Sequence, residues 1–357
     1  MILKSAVTGG IARRVLLPAL IAVFVASSAM AGPTIYVGDV DEKRVYKYDA
    51  ETGTSLGSFS ADLGHKSYSS YWGYGPTMAM LDGVLYVGDA ADDMVHRYNP
   101  EDGTLLNSYS AQMDGRTYSS YWAYGPTMAA EEGVIYVGDT DEDKVYRYEA
   151  ETGNLLGSYY AQLDGYSYSS YWAYGPTMAI EDGVLYVGDS QEDKVYRYEA
   201  ETGILLGSYY AQLDGYRYSS YNAYGPTMSI EDGVLYVGDS DEDRVYKYDA
   251  ETGGEIGSFS AQLDGKRYSS YWAYGPTMNV ADGMVYVGDS DEDKVYVYDA
   301  ETGTLQTSYS AQLDGRSYSS YWGVGPTMAI DAGPFVGGND VVISADTNSN
   351  IIGDEGE

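Results

Sequence analysis

Leu163-Asp-Gly-Tyr-Ser-Tyr-Ser-Ser-Tyr-Trp-Ala-Tyr-Gly-Pro-Thr-Met178 decides the fold, because near-copies recur at a fixed step of fifty residues and end at Met78, Met128, Met178, Met228, Met278 and Met328. Each copy is followed by a turn and an apolar run of the type Gly183-Val-Leu-Tyr-Val-Gly-Asp189. A period of that length marks a ring or an array of equal units and has to be read before any single motif.

Working outward from Met178, one unit holds four strand candidates. Thr177–Ile180 is short and apolar, and Glu181-Asp-Gly183 supplies the turn after it. Val184–Val187 is β-branched and aromatic, with the near-continuous hydrophobicity of a strand covered on both faces. Lys194–Tyr198 alternates and reads as a strand nearer solvent. Thr202-Gly203 closes a second turn before the fourth candidate, Leu205–Tyr210. Four short antiparallel strands per unit are the pattern of a propeller blade.

The first unit opens directly at the second strand, Thr34–Val37, and its missing innermost strand reappears only at Thr327–Ile330. The sequence therefore predicts an all-β, six-bladed β-propeller of four-stranded antiparallel blades, closed by the C-terminal strand. The alternative is a seven-bladed ring whose degenerate last blade is drawn from Phe335–Gly338, Val341–Ala345 and Ile351–Gly353.

At Gly183–Ser190 and at Lys194–Gly203 with the leucines beyond it, the unit resembles the blades of pyrroloquinoline-quinone-like and YVTN-type propellers, over about half of each period. The resemblance implies a propeller fold and, as one option, a quinoprotein-like oxidoreductase. Where quinoprotein blades commonly carry tryptophan after the turn, this unit has Gly207. In its repeated aromatic segments the ring is also similar to propeller lectins of the tachylectin type.

Residues 1–31 read as a signal peptide. Lys4, Arg13 and Arg14 precede an apolar run from Val15 to Val25, and Ala29-Met-Ala31 is a small-x-small cleavage site. Residues 32–331 form the propeller, and 332–357 an acidic C-terminal tail. A secreted or periplasmic protein with no membrane insertion after signal removal is the expectation. Without the leader, 17 Lys plus Arg face 54 Asp plus Glu, a formal charge of −37 that repels nucleic acid and anionic lipid. The chain has no cysteine, so an exported fold here cannot lean on disulfides.

In an up-and-down blade, the long fourth-to-first connection shares a face with the acidic turn Gly188–Asp193. The connections carry the candidate ligand-binding residues Tyr71, Trp72, Tyr121, Trp122, Tyr171, Trp172, Tyr221, Tyr271, Trp272, Tyr321 and Trp322. Flat rings with polar tips suit an extracellular glycan or an envelope protein, while filling the gaps between blades is the competing role. The acidic turns place carboxylates at alternate positions in Asp139, Asp141 and Asp143, in Asp239, Asp241 and Asp243, and in Asp289, Asp291 and Asp293. Such oxygens suit calcium, and solvated turn tips are the alternative. The Thr-Met pairs are placed by the pattern near the central channel, where packing is the expected role.

His65 and His96 are the only histidines, neither recurs between units, and a ring that offers identical groups many times over lacks the unlike pair a catalytic centre needs. The sequence thus reads as a multivalent binding module and not as an enzyme, with a structural scaffold of the envelope as the second reading and the quinoprotein as the third.

Overall fold

The computed structural model describes residues 32–332, apart from positions 65, 70, 71 and 75, their equivalents at each fifty-residue step, and 326; for 66–69, 72–74 and their equivalents it describes the backbone alone. The described residues contain strands and no helix. None is therefore long and apolar enough to cross a membrane as a helix.

Six four-stranded antiparallel sheets follow one another round a ring. In blade four the order is Thr177–Glu181, Val184–Asp189, Lys194–Glu199 and Leu205–Tyr210, from the axis outward. Blade one is built from both ends of the propeller: Thr34–Asp39, Arg44–Asp49 and Ser55–Ser60 take Thr327–Asp331 as their innermost strand. The register runs from Ile35 opposite Ile330 to Gly38 opposite Thr327, so the ring closes with six blades. The segments 335–338, 341–345 and 351–353 lie outside the described residues.

The core is a series of layers between blades. Leu185 and Val187 of the second strand are fully buried, and Tyr186 retains 5% exposure. Gly188 follows them because space has run out: a β-carbon there would lie 3.0 Å from Thr177 and 3.1 Å from Leu213. Gly203 combines a φ of 74° with the Tyr159 ring of the preceding blade, 2.1 Å from where a β-carbon would stand. The third strand is less solvent-facing than its alternation implies. Val195 and Tyr198 are both buried, on opposite faces, each under a neighbouring blade.

The long connection is not a plain loop. Tyr166–Ser169 and Trp172–Tyr174 pair as a small hairpin, with a register shift between Ser167 and Ser169. Each blade has such a hairpin, and the strands equivalent to Trp172–Tyr174 lie beside one another in a closed circle of six. Below them the innermost strands enclose a cavity of about 260 Å³ lined by Met78, Met128, Met178 and Met228 and by the Ala79, Ala129, Ala179 and Ser229 that follow them. These methionines are buried between strands, in the packing role expected of them.

Candidate functional site

Among the described residues the outermost strand of each blade hydrogen-bonds on one side only and presents an edge. Its side chains divide the ring. Blade two exposes Leu105 and Leu106, blade three Leu155 and Leu156, and blade four Ile204, Leu205 and Leu206, at 47–59%. Blades three and four add Tyr160 and Tyr210, which are 73% and 74% exposed where other blades have serine. Blades five, six and one hold one exposed apolar residue each, Ile256, Leu305 and Leu56. Exposed leucines scattered singly are ordinary on a protein surface, whereas clusters on consecutive edges point to contact with another molecule.

The acidic turns are shaped from within. Asp189 is fully buried, and its Oδ1 accepts the backbone N–H groups of Gln191 at 2.8 Å and Glu192 at 3.1 Å. Asp139, Asp239 and Asp289 do the same in their turns. The acid four residues on, Asp143, Asp243 or Asp293, takes a φ of 52–54°, a left-handed conformation that aspartate tolerates. Between them Glu142 accepts from Tyr146 Oη at 2.6 Å and pairs with Lys144 at 2.7 Å, while Asp141, like Asp241 and Asp291, is exposed. Among the described residues no group of three or more His, Asp or Glu side chains is arranged to hold a metal ion.

Burial raises the Asp39, Asp139, Asp189 and Asp289 carboxyls to about 6 and that of Asp239 to about 7, helped by the aspartate that begins the preceding connection. Asp89 goes the other way. Although burial alone would raise its carboxyl, the His96 ring and two backbone N–H groups hold it below the usual range.

Blades are latched by phenols. The Gln162 N–H donates to Tyr198 Oη at 3.0 Å across a seam, and each of the other five seams repeats this bond, including Gln312 to Tyr48 at the ring closure.

Of the aromatic candidates, Tyr71, Tyr121, Tyr171, Tyr221, Tyr271 and Tyr321 lie outside the described residues. Trp72, Trp122, Trp172, Trp272 and Trp322 each begin the second strand of a hairpin; their side chains are outside the description. The backbone nevertheless brings the tryptophan-bearing strands into one circle on the face of the acidic turns.

Residues 41–209 and 221–351 match the family model described as Outer membrane protein assembly factor BamB. The chain belongs to this PQQ-like propeller family. Within the BamB-type match, which begins after Thr34–Asp39, the break at 210–220 takes in the end of blade four's outer strand and the first strand of the hairpin that follows, Tyr216–Ser219. No curated protein matches the sequence. Among solved structures, the nidogen/laminin complex aligns with a TM-score of 0.50 at 12% identity, covering 84% of this chain and 98% of that one. Apo AztD from Citrobacter koseri gives 0.47 at 11% over 84% and 98%, and BamB from Moraxella catarrhalis 0.38 at 12% over 78% and 75%. At such identities the likeness is one of fold.

Proposed function

We propose that this BamB-family propeller is an exported, non-catalytic docking module of the cell envelope that engages a protein partner along the outer edges of blades two to four. The observation that carries the reading is the clustering of exposed Leu, Ile and Tyr on those three consecutive edges and its absence from the other half of the ring. An extended segment of a partner could pair with such an edge and seat alternate side chains on the leucines. The family description, an outer membrane protein assembly factor, supports a protein partner and a periplasmic setting, and residues 1–31 support export.

The test places a photo-cross-linking amino acid in cells at Leu156, Leu206 or Tyr210, and for comparison at Leu56 or Gln306. A discrete protein adduct from the first set and none from the second is expected; equal labelling from both halves would defeat the assignment. A second reading, glycan recognition by the circle of hairpins, is favoured by the grouping of the tryptophan-bearing strands. It requires an arrayed glycan to shift tryptophan emission, and Trp172→Ala to remove part of that response.

A further inference from the structure

On the face of the short turns, the third strand of each blade places one side chain at the seam with the next blade, and its identity changes round the ring: Lys47, Arg97, Arg147, Arg197, Lys247 and Val297. Its register partner on the second strand is always tyrosine, as in Tyr86 with Arg97, Tyr186 with Arg197 and Tyr236 with Lys247. The arginines lie against these rings. Arg97 Cζ is 5.6 Å from the centre of Tyr86, and Arg197 donates to the Tyr186 hydroxyl and to the Glu251 carbonyl of the next blade. A guanidinium spreads its donors over a plane and stacks on a ring, whereas a lysine ammonium is a point charge on a flexible stem.

Between blades five and six lysine takes that place. Lys247 Nζ is drawn to the Ala300 and Glu301 carbonyls, at 3.1 Å and 2.6 Å, and the seam holds a cavity of about 500 Å³. Tyr236 lines it. That residue is only 6% exposed, and its hydroxyl has no hydrogen-bond partner among the described residues. Ile256 and Met284 supply apolar wall, and Glu231, fixed by the Gly283 N–H at 3.0 Å, stands at the inner end. With Asp232, Asp282, Asp299 and Glu301, the lining sets five carboxylates against the one Lys247 ammonium. Burial, with the charges of Glu231, Asp232 and Asp299, pushes the Tyr236 phenol up to about 12, the mark of a negative potential at its hydroxyl.

The seam between blades four and five is an internal control. Its corresponding acids, Glu181, Asp182, Asp232, Asp249 and Glu251, are the same residue types in the same order, with Leu206 and Val234 in place of Ile256 and Met284. There the arginine is the chain's own. The seam between blades one and two also carries lysine, Lys47, but Asn99 and Pro100 stand where blade six has Asp299 and Ala300.

We infer that the cleft between blades five and six receives an arginine side chain from a partner protein, with the guanidinium beside Tyr236 and Glu231 and the stem on Ile256 and Met284. The neighbouring seam shows what this environment accepts, since the same set of acids there surrounds a guanidinium. An arginine seated on a buried ring among carboxylates combines stacking with charge-assisted hydrogen bonds, and such residues are frequent anchors of protein interfaces. The site stands on the geometry of this seam and does not depend on the outer edges of blades two to four.

The experiment titrates the mature chain with N-acetyl-arginine amide by calorimetry at neutral pH and low salt. One equivalent should bind, and the uncharged citrulline analogue should bind at least tenfold more weakly. Lys247→Arg supplies the guanidinium from within and should abolish the site. Arg197→Lys should open a second one between blades four and five and raise the stoichiometry to two. Both variants use a residue the chain already carries at this position of other blades, so the fold should survive. Equal binding of the arginine and citrulline forms, or a stoichiometry unchanged in both variants, overturns the inference. Free arginine separates the sources of the ligand: its carboxylate would meet the acidic lining, so it should bind more weakly than the capped form, and equal or tighter binding would overturn the protein partner.

Discussion

The two seams that flank blade six solve one problem in different ways. Toward blade five, Lys247 Nζ reaches across to donate to the carbonyls of Ala300 at 3.1 Å and Glu301 at 2.6 Å. Lys47, Arg97 and Arg197 make similar bonds elsewhere. Toward blade one the position is Val297, which is 3% exposed, and beside it Tyr286 is buried to 1%, in a cluster that holds Ile35 and Val37 from one end of the ring and Met328 from the other. A seam within continuous chain tolerates a hydrated cation because covalent connection already keeps the blades close. The seam that joins two chain ends rests on apolar burial, which ionic strength does not screen.

The most severe way to break this contrast is to end the chain before Gly325. Blade one then loses Thr327–Asp331, exposing Ile35 and Val37 on a new sheet edge. The loss is comparable with the whole net stability of a domain, about 5–15 kcal/mol. Aggregation or a collapsed melting temperature is expected by scanning calorimetry. Removal of residues 332–357 instead should leave melting unchanged, and equal solubility of the two truncations would refute closure by this strand.

That much of the fold was legible because the period, the glycine turns and the displaced Thr-Met-Ala-Ile copy all follow from local chain chemistry. The hairpin inside each connection was not, since Tyr-Ser-Tyr-Ser and Trp-Ala-Tyr are too short to signal strands and gain their pairing from the crowding of six copies about one axis. Nor did the acidic turns, taken one at a time, show which of their residues shape the turn itself. Asp139 and Asp143 serve their own turn as hydrogen-bond acceptor and left-handed residue, and the charges that act on the buried turn aspartates, such as that of Asp264 on Asp289, come from the connection before the blade.

Charge gives a second, intermediate test. Carboxyls raised by burial bind protons in the folded state that the unfolded chain has already released, between about pH 4 and the folded values of about 6 to 7. Their contribution to stability is complete below that window and lost as pH rises through it. Asp89 has the opposite sign, since its lowered carboxyl supports the fold above its unfolded pKa and loses that support on acidification. In calcium-free buffer the melting temperature should therefore be higher at pH 5 than at pH 7.5. Asp39→Asn at the closing seam and Asp189→Asn within continuous chain should flatten the slope alike, whereas Asp89→Asn should leave the slope over this range unchanged, its support being complete above the usual carboxylate range; a slope unchanged by Asp39→Asn and Asp189→Asn would contradict the assignment.

The finest contrast lies in the phenol latch. Tyr48→Phe leaves the Gln312 N–H without its acceptor at the closing seam, and Tyr198→Phe does the same to Gln162 between blades three and four. Each should cost about 1–3 kcal/mol by urea titration. The unfolding rate should rise more for Tyr48→Phe, because that seam alone is held without a short covalent path. Identical rates would mean that the ring does not open there first.

Thr327-Met-Ala-Ile330 is identical to Thr177-Met-Ala-Ile180, and every other innermost strand is a close variant. The vacancy in blade one is thus specified by a short word that the chain spells several times, and that every other copy of the chain carries as well. During refolding at high concentration, the C-terminal strand of one molecule competes with that of another for the same groove, and head-to-tail exchange yields linked rings with all their native contacts satisfied. Dilution during refolding governs whether the product is single rings or chains of them.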